Sequence, residues 1–158
     1  MIPQFEAGLY ELARLFLLPA LVLIVVCLTY AAFALGAFAL EAWQRRIGRY
    51  ASPLMAYQRR VGAASEDLEL WIMKSLEAPR VVSRSAPLLG LIATMAPMGP
   101  ALLALSRNDA RAIGDNLVLA FSGVILALVA ASVAHLVLTI RRRWLLEELR
   151  AFERGDVA

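Results

Sequence analysis

Residues 85–105 read SAPLLGLIATMAPMGPALLAL. The stretch carries no charge, yet it holds Pro87, Pro97 and Pro100, the glycines Gly90 and Gly99, and one hydroxyl, Thr94, among leucines, alanines and methionines. An apolar run with so many helix breakers is explained by the solvent around it. Whether that solvent is water or lipid decides the fold.

Composition answers this. Of 158 residues 61% are hydrophobic, and the mean hydropathy is +0.68, both above the range of an ordinary soluble domain. Crossing the hydrocarbon core takes about 20 mostly apolar residues. Three windows qualify, at residues 15–40, 86–105 and 117–140. The expected fold is an all-α membrane protein of three transmembrane helices. It forms a single membrane domain over 1–158, with a cytoplasmic segment at 41–85 and a cytoplasmic tail at 141–158.

Orientation follows from the basic residues, which are retained on the cytoplasmic side. Arg45, Arg46, Arg49, Arg59, Arg60, Lys74, Arg80 and Arg84 lie between the first two windows, and Arg141, Arg142, Arg143, Arg150 and Arg154 follow the third. Only Arg14, Arg107 and Arg111 fall on the other side. The N-terminus is therefore expected outside and the C-terminus inside, with a short external turn between spans two and three. The net charge of +3 then reports topology, with anionic lipid headgroups as its counter-charge; nucleic acid is a poor second reading. Glu6 and Glu11 ahead of the first span, and the length of its apolar run, argue against a cleaved signal peptide, so the first span is expected to be an uncleaved anchor. Cys27 has no second cysteine to pair with.

Outside the spans, helices are again expected. Ser65-Glu66-Asp67 offers a hydroxyl cap and first-turn acids, after which Leu68, Trp71, Ile72 and Leu76 recur at helical spacing. This reads as a surface helix packed on its neighbours or on headgroups. Arg141-Arg142-Arg143-Trp144 reads as an interfacial anchor, with the same helix continuing from Leu145 to Phe152. Nothing points to an enzyme: one His, one Cys, no HExxH, no CxxC, no glycine-rich phosphate loop and no carboxylate within the spans. No cofactor or metal is expected.

Pro97 removes the donor that would bond the carbonyl of Ala93, and Pro100 does the same to Ala96. In lipid such freed acceptors must be met by protein or by water in a cavity. Gly90, Thr94, Pro97 and Ala101 share one stripe, which is the candidate functional surface, with Pro97 and Pro100 as a kink beside it. The alternative is that prolines and glycines are simply commoner in membrane helices and that Thr94 bonds back to Gly90. In the third span Ala120, Gly123, Ala127, Ala130 and Ala134 form a small-residue stripe suited to close helix packing, and with Gly90 of the second span they are expected to pack between subunits. Val124, Leu128, Ala131 and His135 form a second stripe, flanked by Ser132 and Thr139. His135 has two readings: a titrating group in a span, or a structural one about 8 Å from the span's end at Ile140.

Ala86-Pro87-Leu88-Leu89-Gly90-Leu91-Ile92-Ala93-Thr94 resembles the A-P-x-L-G-L-x-G-T signature of the MotA/TolQ/ExbB proton-channel family. Ala127-Leu128-Val129-Ala130-Ala131 with Ala134 resembles its third-span G-L-x-x-A-I-P-A run, and Met98 to Leu102 and Asn116 to Ser122 are similar to a small prokaryotic branch. The resemblance covers about residues 80–150. It implies a stator-type subunit in a prokaryotic cytoplasmic (inner) membrane. Five copies would ring the helices of a single-span partner similar to ExbD, TolR or MotB, whose transmembrane aspartate carries protons. Thr94 matches the threonine that faces this aspartate, and a hydroxyl can both donate and accept there. The third-span threonine falls at Val124, its neighbouring threonine at Gly123 and the family proline at Val133. Half of the polar lining is thus replaced, leaving Thr94, Ser122, Val124 and His135 as the candidate ion path. A rival expectation is a non-conducting scaffold that keeps the ring without the path, and a third is a pore that needs no partner. Protons are favoured over Na⁺, which would want several oxygen ligands.

Overall fold

The computed structural model describes the backbone of residues 2–48, 50, 52–62 and 65–154, with side chains from Leu15 onward. Five helices follow in order: α1 (Ile2–Arg46), α2 (Pro53–Val61), α3 (Ser65–Ser75), α4 (Glu77–Ser106) and α5 (Ala110–Glu153). Helical stretches within α1, α4 and α5 are long and apolar enough to cross a membrane. The chain is thus an all-helical protein with three candidate membrane spans.

Each long helix outruns its apolar window, because helical hydrogen bonding does not stop where apolar side chains do. α4 begins nine residues before Ala86, and α5 begins at Ala110, where Asp109 caps it by accepting from the Ala112 amide at 3.0 Å. The connection between α4 and α5 is a tight turn in which Asn108 has φ 54°, a left-handed conformation that asparagine tolerates. α5 then runs unbroken through the arginine triplet to Glu153, well beyond its apolar window.

α4 and α5 form an antiparallel pair that approaches closely because both facing stripes are small. On α4 the buried residues are Pro79, Ala86, Gly90, Ala93, Pro97, Ala101 and Ala104. On α5 they include Ala120, Gly123, Ala127, Ala130, Ala131 and Ala134. A Cβ on Gly90 would stand 3.0 Å from Ala127 Cβ, and one on Gly123 would stand 2.9 Å from Ala93 Cβ. Lipid tails offer no hydrophobic gain to association, so van der Waals contact through such stripes is what holds the pair. α1 packs against both helices, with Ile24 on Ala93 and Ala127 and with Cys27 and Ala31 near Ala86 and Ala130.

Gly90 on α4 and Ala120, Gly123, Ala127, Ala130 and Ala134 on α5 are buried within the chain. The close packing expected of them between subunits is made here between helices of one chain. Small residues mark close approach, and they do not say whether the neighbour belongs to the same chain.

The segment between α1 and α4 folds onto the extension of α5. Ser52 caps α2 by accepting from the Met55 amide, and Gly62 ends it at φ 63°. α3 begins at Ser65 with Glu66 and Asp67 in its first turn. Leu54, Leu68, Ile72, Leu76, Leu145 and Leu149 make one buried cluster, with Tyr57 and Trp71 stacked at its edge, ring centroids 5.8 Å apart. Leu68 and Ile72 mark the buried face of α3, and Leu76, at the junction with α4, continues it. Trp144 stacks on Phe38, centroids 5.3 Å apart, under the guanidinium of Arg45.

Candidate functional site

Three prolines fail to interrupt α4, which runs as one helix from Glu77 to Ser106. Each ring deletes one donor, and the helix continues through the flanking turns. Pro97 is buried beside Ala93 and Ala101. The carbonyl freed by Pro97 thus belongs to a residue facing the interior of the three-helix core, not the outer surface of α4.

Gly90, Pro97 and Ala101 share that buried stripe, whereas Thr94 sits at its rim, half-buried. The Thr94 hydroxyl donates to the carbonyl of Leu91 at 2.8 Å, one residue away from the Gly90 carbonyl that local back-bonding suggested. Its proton is engaged, but its oxygen can still accept. The other span hydroxyls behave alike: Thr29 donates to Val25 at 2.8 Å, Ser122 to Val118 at 2.6 Å and Thr139 to His135 at 2.8 Å.

Val124 is half-buried on α5, and its Cγ2 lies 3.2 Å from where a Cβ on Gly90 would be. It is on the same side of the α4–α5 pair as Thr94. Ser122 is not. It stands about 140° around α5 from the buried Ala127 and is exposed. His135 is exposed too, and since Ala93 lies against Gly123, it is displaced from the level of Thr94 by about 18 Å along the helix. The four path candidates therefore do not form one constellation. Val124 lies against Gly90, one turn from Thr94, His135 lies near the basic end, and Ser122 faces elsewhere.

Around His135 the surface is concave. A cavity of about 630 Å³ lies between the first turns of α4 and the basic end of α5, with Arg80, Arg84, Arg142 and Arg143 in its wall. A second, almost wholly apolar cleft of about 620 Å³ separates α1 from α4, between Phe16, Pro19 and Leu23 on one side and Leu89, Ile92 and Met95 on the other. Thr94 does not line it.

Sequence reasoning missed the polar cluster that ties α1 to α5. Arg45 forms ion pairs with Glu41 at 3.4 Å and with Glu148, and Arg141 approaches Glu41 at 3.4 Å. Tyr50 donates to Glu41 at 3.0 Å and Ser52 to Glu148 at 2.6 Å. Arg45 also covers the rings of Tyr50 and Trp144, at 3.9 and 4.4 Å from their centroids. Two cations meet two anions, so the cluster is neutral. The Nε atoms of Arg45 and Arg141 find no acceptor; for Arg141 the 3.4 Å approach to Glu41 gives charge attraction without hydrogen-bond alignment. Burial, followed by the charges of Glu148 and Glu41, pushes the Tyr50 phenol well above its ordinary range, against the opposing pull of Arg45. The spacing of Glu41 and Arg45 at i,i+4 was a usable signal; nothing local tied Glu148 to them.

Among the described residues no three His, Cys, Asp or Glu side chains come together as a metal site would require. Compared with known proteins, the chain matches no family model, no curated protein and no solved structure.

Proposed function

We propose that the chain is a stator-type subunit of an ion-driven, energy-transducing complex. In this reading it forms a homo-oligomeric ring, of five copies by the family resemblance, around the transmembrane helices of a single-span partner that carries an aspartate. The basic end faces the cytoplasm, placing the N-terminus outside, and the membrane is a prokaryotic cytoplasmic one.

The observation that carries this reading is Thr94. It is the one hydroxyl of α4 at mid-span, it stands at the rim of the α4–α5 seam rather than inside it, and its oxygen keeps an acceptor position. α1 covers the other side of the pair, and on this side Met98 and Leu128 are about half exposed at 53% and 50%. That leaves a face with room for another helix. A hydroxyl on it can solvate either protonation state of a carboxyl group without holding a charge of its own.

The test is Thr94→Val in the assembled complex. It is expected to abolish proton-driven output while assembly and partner binding persist, read as proton flux into liposomes with and without the partner. Undiminished flux removes Thr94 from the mechanism.

A second reading is favoured by Gly123 and Val124, which stand where the resembled family has hydroxyls. A Cβ at 123 would meet Ala93 at 2.9 Å, so the helices have closed over the space that a threonine would occupy. This supports a non-conducting scaffold. It predicts a ring that assembles with its partner and passes no protons in the same liposomes.

A further inference from the structure

The two sides of the basic end are built differently. On the α1 side Arg45 and Arg141 are neutralised by Glu41 and Glu148. On the α4 side four arginines, Arg80, Arg84, Arg142 and Arg143, line the cavity of about 630 Å³ beside His135, and among the described residues no carboxylate lines it. Only Arg143 has an acidic partner, Glu147 at 3.6 Å, and that pair is 71% and 64% exposed, so it contributes little. Among the described residues Arg80, Arg84 and Arg142 form no ion pair.

Like charges gathered in one concavity repel one another, and the arrangement gains stability when an anion enters. The hydroxyls of the wall do not supply donors, because Ser83 donates to the Arg80 carbonyl at 2.9 Å and Thr139 to that of His135. The guanidinium forks do, and their planar pairs of N–H groups match phosphate oxygens. Position selects the kind of phosphate. Arg142 and Arg143 stand two and three residues after Ile140, at the level where a span meets the headgroups. The cavity also has Leu138 and Leu146 in its wall. Toward the bilayer centre the same side of α5 continues as Leu128, half exposed, surface fit for an acyl chain.

The geometry points to a binding site for the phosphodiester of an anionic phospholipid, held by Arg80, Arg84, Arg142 and Arg143 between α4 and α5. This is independent of the stator reading, since it needs neither a ring nor a partner.

The test uses the full chain in mixed micelles of a zwitterionic phospholipid, titrated with phosphatidylglycerol, with bound lipid read by native mass spectrometry. Saturable binding of phosphatidylglycerol over the zwitterionic lipid is expected. Arg84→Gln with Arg142→Gln removes two charge-assisted contacts and weakens binding by about a hundredfold. The matched control, Arg107→Gln with Arg111→Gln at the other end, leaves it unchanged. Should the glutamine pair not fold, Arg84→Lys with Arg142→Lys keeps the charge and still weakens binding, because an ammonium lacks the fork. Equal loss in variant and control means unspecific attraction to a basic protein and overturns the proposal. Displacement of the lipid by inorganic phosphate or glycerophosphate at equal concentration assigns the cavity to a soluble anion and overturns it as well.

Discussion

At the scale of single residues, Gly123 and Val124 are adjacent on α5 yet face different neighbours. Gly123 lies against Ala93 and Leu21, while Val124 reaches over Gly90. Position 123 is therefore set by α4 and α1 together, and a side chain there forces helices apart. Gly123→Val is expected to destabilise the three-helix core by about 1–3 kcal/mol, the usual range for overpacking, measured as the shift of an unfolding titration in bicelles. Gly36→Val, at a position where a Cβ meets nothing within 4 Å, is the control and changes little. The small-residue pattern of α5 was legible in the sequence as a packing surface. Its partner was not, because a stripe of alanines fits a helix of its own chain as well as one from another copy. Thr94 shows the same division. Its helical position could be read from spacing, whereas the choice of Leu91 over Gly90 as its hydrogen-bond acceptor depends on a rotamer that spacing does not encode.

At the scale of elements, the three candidate spans were plain from apolar length alone, and α3 from its first-turn acids and the spacing of Leu68 and Ile72, whereas the Ser65 hydroxyl, expected as its cap, instead donates to Glu153. The polar cluster between α1 and α5 was hidden, because Glu41 and Glu148 are far apart in the chain and meet only once α5 continues beyond its apolar window. That cluster fixes where α1 ends and α2 begins: Glu148 holds Arg45 from one helix and the Ser52 cap of the next. Glu148→Gln removes the charge and keeps the shape. Glu148 is 15% exposed, so solvent screens the pair only in part. The substitution is expected to cost roughly 1–3 kcal/mol, seen as faster limited proteolysis within residues 47–64. Glu147→Gln, one position along and 64% exposed, is expected to stay within about 0.5 kcal/mol of the parent.

At the scale of the whole molecule, the helices form an asymmetric object. α1 lies on one side of a tightly zipped α4–α5 pair, and the opposite side carries Thr94 at mid-span and the arginine cavity at the basic end. The outer surfaces of α1 and α5 expose residues such as Phe33, 77%, and Val118, 66%, as acyl chains require. What separates a lipid-facing surface from a partner-facing one is the polar content of that last side, and a single hydroxyl is a sparse signal. Composition could establish the solvent, and spacing could place Thr94 on a rim. Neither supplies the neighbour across from it.

The most direct measurement is electron cryomicroscopy of the complex purified with its single-span partner in lipid nanodiscs. A closed ring of this chain is predicted, with the Thr94 side of each α4–α5 pair turned inward onto the partner's helices. Isolated subunits, or a ring in which Thr94 lies against acyl chains and the centre holds no second chain, would contradict it.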